Sequence, residues 1–252
     1  FKKKLSYFLI WKLTMIGLFF NNFLPTSAGG DIVKIFYIVK EQEKKFLSGI
    51  SVLIDRYIGA LSIMIMGTIS VFFYKGIEKK FQYIIFVFLF FLIFAFFFFS
   101  KRKIASLFYS PIKKFIPEFL NRKLLNLYSS IYFYFTENSK NLKIAILISF
   151  ILQILSIFSQ YLIGVSIIKS NLNVLLFFVF IPLIWTSTLI PSLGGLGVRE
   201  FTYIFLFSDF IGEQNAYALS ILVLTTVVLN SLIGGFIFLT FETKRKLTEK
   251  NY

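Results

Sequence analysis

The chain has 252 residues, of which 57% are hydrophobic and 20% aromatic, with 27 basic against 12 acidic side chains and neither cysteine nor histidine. That balance excludes a disulfide scaffold, thiolate or imidazole catalysis and the usual zinc or haem ligands. Several apolar runs reach the roughly 20 residues that a helix needs to cross a bilayer. Runs such as 81–100 are apolar on every face rather than alternating, so the expectation is an all-α, polytopic helical membrane bundle and not a β-barrel. The formal charge of +15 reads as basic loops on an anionic cytoplasmic leaflet, because most lysines lie between apolar runs. No nucleic-acid partner is expected. The chain opens with Phe1 and Lys2-Lys3-Lys4 directly before an apolar run, which reads as a piece lacking at least one upstream helix; no signal-peptide cleavage pattern is present.

In chain order, Leu5 to Phe23 is apolar apart from Lys12 and ends in Asn21-Asn22. It is long enough to cross once, or to dip in and stop at Pro25. Asp31 to Val39 predicts a short helix with Asp31 in its first turn, where the helix dipole favours an anion. Lys40 to Lys45 is a water-facing link. Phe46 to Tyr74 is a long apolar helix interrupted by Asp55-Arg56, and Phe81 to Ser100 is the cleanest span.

Lys101 to Lys143 carries nine basic residues against Glu118 and Glu137, which places it in the cytoplasm. Within it, 119–136 has apolar residues at helical spacing and fits a helix on the membrane surface. The segment reads as a basic amphipathic connector between two halves of one transmembrane domain, the alternative being a separate lipid-sensing element. Ile144 to Ile168 is the next span, with Ser149, Gln153, Ser156 and Gln160 spaced by four, three and four along one face. Such a stripe either glues helices together or lines a cavity. Val174 to Ile190 reads as another span, containing Pro182 and Trp185-Thr-Ser-Thr188. Gly195 to Phe210 is too short to cross and reads as a half-helix. Gln214 to Phe241 spans again, with Asn230-Ser231 and Gly234-Gly235 permitting close helix contact. Thr243 to Tyr252 is a polar tail whose Lys244-Arg245-Lys246 favours the cytoplasm.

Two passages share a pattern. Pro25-Thr-Ser-Ala-Gly-Gly-Asp-Ile-Val-Lys34 and Pro191-Ser-Leu-Gly-Gly-Leu-Gly-Val-Arg-Glu200 each put a proline shortly before Gly-Gly and a basic residue four places past the second glycine. Proline stops one helix and glycine allows close backbone approach. Two such breaks predict glycine-broken, re-entrant half-helices in a pseudo-repeat that build a shared site. Their N-termini, with Lys34, Arg56 and Arg199, would attract an anion. A charge inside a membrane helix costs about 2.5 to 3.5 kcal/mol on insertion scales, so each is expected to be paired or functional. Lys34 or Arg199 are the expected partners of Asp55, and Asp31 or Glu200 those of Arg56. The competing reading is that these charges snorkel to an interface.

Asn22 through Pro25, Gly29, Gly30, Asp31 and Lys34, then Asp55-Arg56, then Pro191, Gly194, Gly195, Gly197, Arg199 and Glu200 resemble the successive signatures of the lysylphosphatidylglycerol synthase transmembrane region, a flippase-like integral membrane domain. Gly-Gly-Leu-Gly-Val-Arg-Glu is the most specific part, and Lys34 departs from it in standing where arginine is more usual. The resemblance implies these residues as a substrate-binding set and a cell-membrane location. The paired breaks and the charges within the membrane helices point to the headgroup of an anionic phospholipid or a polyprenyl-phosphate-linked envelope precursor as the ligand, bound and translocated. No cofactor, metal site or catalytic residue is expected.

Proteins of this family can carry a cytosolic domain that transfers an aminoacyl group from tRNA to phosphatidylglycerol, and no stretch here has the length and polarity for one. The alternatives are thus the membrane portion of an aminoacyl-phosphatidylglycerol synthase and a membrane lipid transferase using Asp31, Asp55 or Glu200 as a base. A further reading is a membrane subunit that positions an envelope-synthesis partner. A separate cytosolic lipid-modifying enzyme is a conceivable partner.

Overall fold

In the computed structural model, residues 5–24, 28–42, 44–74, 76–168, 172–190, 192 and 195–250 are described. Pro25, Pro191 and Gly194 lie outside them. Every regular element among the described residues is helical: α1 (Tyr7–Phe23), α2 (Gly29–Glu41), α3 (Lys45–Phe73), α4 (Lys79–Ser100), α5 (Arg102–Ile112), a 3-10 turn (Lys113–Phe115), α6 (Glu118–Thr136), α7 (Ser139–Ile167), α8 (Val174–Ser187), α9 (Val198–Ile211) and α10 (Glu213–Lys250). Four of these are long and apolar enough to cross a bilayer: Lys45–Phe73, Lys79–Ser100, Ser139–Ile167 and Glu213–Glu242. In hydrocarbon a backbone must bond to itself, which helices do and irregular chain does not. This is an integral membrane protein of the all-α class, with multiple passes through the membrane.

The chain forms two compact units, Phe1–Val52 with Phe158–Tyr252 and Leu53–Ile157. In the first, α1 packs against both α2 and α10, and α9 packs against α8 and α10. Leu13, Ile16, Tyr37, Ile38 and Val52 form a core cluster against which Ile237, Phe238 and Phe241 lie. Glycine makes these contacts close: a Cβ on Gly30 would stand 1.8 Å from the Gly17 carbonyl oxygen, and one on Gly234 would stand 2.1 Å from that of Met15. Helix α1 is therefore gripped on two sides by backbone at touching distance, the way small residues let membrane helices associate. Helix α8 is buried along Leu176 to Ile184, with the Phe177 and Phe180 rings at 4.8 and 5.1 Å from Phe207 of α9.

In the second unit α4 packs against α5 and α6. Its contacts are aromatic, with Phe94 at 5.6 Å from Phe108 and Phe96 at 5.2 Å from Phe135. The Tyr57 hydroxyl of α3 donates to the Leu92 carbonyl at 2.6 Å. Most of α4 is left uncovered by protein, Ile85 being its fully buried residue, and an uncovered apolar helix of this length suits lipid.

Expected and observed elements agree for α2, α3, α4 and α6 to within about two residues, whereas α7 starts at Ser139, five residues inside the expected connector. Helix α5 is an addition to the expected connector, and α10 continues as helix through 243–250, where a polar tail was expected.

Candidate functional site

At the first break, α1 ends in Asn21-Asn22 and α2 begins at Gly29-Gly30. The two asparagines divide the polar work. Asn21 Oδ1 accepts the Gly30 N–H at 2.7 Å, satisfying one of the four amides a helix start leaves open. Asn22 Nδ2 donates to the Leu18 carbonyl at 3.0 Å and to Ser231 Oγ of α10 at 2.5 Å. Ser231 is 1% exposed and donates onward to the Val227 carbonyl. Asp31 lies in the first turn of α2 as expected, with Lys34 a turn further on; both are partly buried and neither is unpartnered.

At the second break, Gly195 and Gly197 both have φ of 82°, a region that side chains with a Cβ avoid. These two residues turn the chain into α9. Glu200 reaches back so that its Oε2 accepts the Gly197 N–H at 2.6 Å, the glutamate half of a capping box. Its other oxygen accepts from Arg199 Nε and Nη2, both at 3.2 Å. The side chains of this pair are 13% and 14% exposed. One turn along, Tyr203 is buried and its hydroxyl donates to Gln160 Oε1 of α7.

Arg199 and Glu200, expected as partners for Asp55 and Arg56, thus bind each other. Asp55 and Arg56 belong to the other compact unit, on α3, where Asp55 is exposed and Arg56 half-buried, and neither lacks a partner. That these four charges are engaged fits the expense of leaving a charge bare within an apolar helix.

The two breaks are joined through α10. Among the described residues α9 has no extensive packing contact with α1 or α2, whereas α1 and α9 both lie along α10. Helices α9 and α10 are connected by the single residue Gly212, φ 81°. At ~1.5 Å per residue from that turn, Arg199 stands ~20 Å up α9 and Ser231 ~28 Å along α10, which puts the ion pair and the Asn22–Ser231 bond at heights within ~10 Å of each other.

The family model described as the lysylphosphatidylglycerol synthase TM region matches residues 1–234. The chain belongs to that family. Searches of curated proteins and of solved structures find no match. Membership in the lysylphosphatidylglycerol synthase TM region family covers both glycine breaks and α3, and it ties the chain to membrane-lipid metabolism.

Asn21, Gln160, Tyr203 and Ser231 complete the polar framework around the candidate residues. Gln160 and Ser231 carry a legible signal, one in the polar stripe of α7 and the other beside Asn230. Gln153 of the same stripe donates to the Gly59 carbonyl of α3 at 3.4 Å, so two members of the stripe join helices. Tyr203 sits among apolar residues with no spacing that marks it.

Proposed function

We propose that this membrane domain binds the phosphate of an anionic phospholipid, or of a polyprenyl-phosphate-linked precursor, and carries the headgroup across the bilayer. The observation that carries the reading is the Arg199–Glu200 pair, largely buried at the glycine-made start of α9. An arginine fork bound to one carboxylate oxygen can exchange that partner for a phosphate of matching geometry. Glu200 keeps the Gly197 N–H when it releases the guanidinium, so the exchange leaves the start of α9 capped. Asn22, bonded to Ser231 of α10 at a similar height, brings Gly29, Gly30, Asp31 and Lys34 of the first break as a second wall. The protein acts as a transporter, not an enzyme, in the cell membrane, with 101–143 and the C-terminal tail in the cytoplasm.

The test is reconstitution in proteoliposomes with phosphatidylglycerol bearing a fluorescent acyl chain in both leaflets. External reductant removes about half the signal if lipid stays put and most of it if the protein exchanges leaflets. The first result with folded, reconstituted protein contradicts the proposal.

The family description favours a second reading, the membrane portion of a lysylphosphatidylglycerol synthase working with a separate lipid-modifying enzyme. Isotope-labelled phosphatidylglycerol incubated with aminoacyl-tRNA and with cell membranes that contain the protein, against membranes that lack it, separates the two. A transporter returns the lipid at unchanged mass, and an enzyme returns a heavier product.

A further inference from the structure

The helical hairpin between α4 and α7 has two faces with different uses. One face is consumed by protein: Ala105 is buried, Phe108 packs on Phe94 and Phe98, and Tyr128 and Phe135 pack on Phe99. The Tyr109 hydroxyl donates to Asn121 Oδ1, fastening α5 to α6. Away from these contacts each helix keeps a large apolar side chain uncovered, Leu107 on α5 at 72% and Phe119 on α6 at 69% exposed.

Each is accompanied by a base one turn away. Lys103 precedes Leu107 by four residues, and Lys123 follows Phe119 by four and holds its Nζ 4.1 Å from the ring centroid. Residues 101–126 contain seven basic side chains and one acid, Glu118, whose charge Arg122 neutralises at 2.5 Å.

We propose that the α5–α6 hairpin lies on an anionic lipid leaflet, with Leu107 and Phe119 among the upper acyl chains and its lysines on lipid phosphates. The occupant follows from placement and charge. Helix α5 begins one residue after membrane helix α4 ends, which holds it at the headgroup layer. A basic helix with bulky apolar side chains beside its lysines suits that layer, where lysine stems snorkel from apolar depth to phosphate. This docking does not depend on the translocation reading, since it involves neither glycine break.

The chain contains no cysteine, so Leu107→Cys gives a single labelling site. An environment-sensitive dye there is compared in nanodiscs of phosphatidylcholine alone and of phosphatidylcholine with phosphatidylglycerol, using lipids brominated on the acyl chain as quenchers. Leu152→Cys on the lipid-facing side of α7, 60% exposed, is the reference that quenches in both.

The dye at 107 is expected to quench strongly in the phosphatidylglycerol discs and weakly in phosphatidylcholine. Raising salt from ~0.1 to ~1 M, which shortens the screening length from ~10 to ~3 Å, is expected to reverse the quenching. Lys103→Gln and Lys123→Gln are each expected to weaken the association roughly fivefold. The salt comparison needs neither lysine variant to fold. A dye that stays in water on phosphatidylglycerol, or quenches equally on both discs, overturns the proposal. So does shielding seen only in discs holding two copies, which would make the surface a contact between chains.

Discussion

At Gly30 and Gly234 the neighbour of an added methyl is main chain of α1, at 1.8 and 2.1 Å, and a backbone within a helix cannot rotate away as a side chain can. Gly30→Ala and Gly234→Ala are therefore expected to destabilise the folded protein by about 1 to 3 kcal/mol each, the usual cost of overpacking. Gly59 is the internal comparison, because its added methyl would meet Gln153 Nε2 at an ordinary 3.8 Å. Gly59→Ala is expected to be neutral or to stabilise by up to about 1 kcal/mol, since alanine restrains the unfolded chain. Unfolding of the purified proteins in mixed micelles measures all three. Gly197 isolates a different cause. Nothing lies within 4 Å of its missing Cβ, yet its φ is 82°, so Gly197→Ala is expected to cost about 1 to 2 kcal/mol from backbone strain alone. Gly197→Asn, which tolerates that region better, is expected to recover part of it in the same measurement.

Helices α1 and α10 are joined by a seam that combines close glycine contact with one polar bridge, Asn22 to Ser231. A double-mutant cycle on Asn22→Ala and Ser231→Ala is expected to give a coupling of about 0.6 kcal/mol, the mean for hydrogen bonds between membrane helices, with stability read by chemical unfolding. Zero coupling would mean that glycine packing alone holds the seam. Much of this scale is legible in the sequence. Long apolar runs bounded by lysines give α3 and α4 nearly to the residue, while α7 begins five residues before its apolar run; Ser231 with Gly234-Gly235 marks the contact face of α10, and Asn230 beside them is exposed. Helix α5 is hidden because Arg102-Lys103, Pro111 and its short length resemble a loop, and what holds it is an aromatic patch on α4. The site is legible as a set of residues more than as a set of bonds. Periodicity finds the breaks, but not that Asn21 and Glu200 cap them or that Arg199 and Glu200 choose each other, because such choices depend on rotamers and on which neighbours bring competing charge.

Across the whole molecule, a chain with 27 basic side chains can be oriented by where they fall. The stretch 101–143 holds nine of them, and positive loops stay on the cytoplasmic side. Lys123→Cys, whose side chain is exposed and whose background has no other thiol, is expected to resist an impermeant maleimide in intact cells and react in inverted vesicles. Labelling in intact cells would invert the topology. The buried Arg199–Glu200 pair is the proposed phosphate-exchanging element, and fluorescent phosphatidylglycerol exchange in proteoliposomes tests that role most directly. Arg199→Ala is predicted to reduce the exchange rate at least about tenfold, the loss of one charge-assisted contact, while Arg199→Lys retains part of it and Gly59→Ala all of it. Arg199→Ala protein that folds, reconstitutes and exchanges lipid at the wild-type rate would contradict the account.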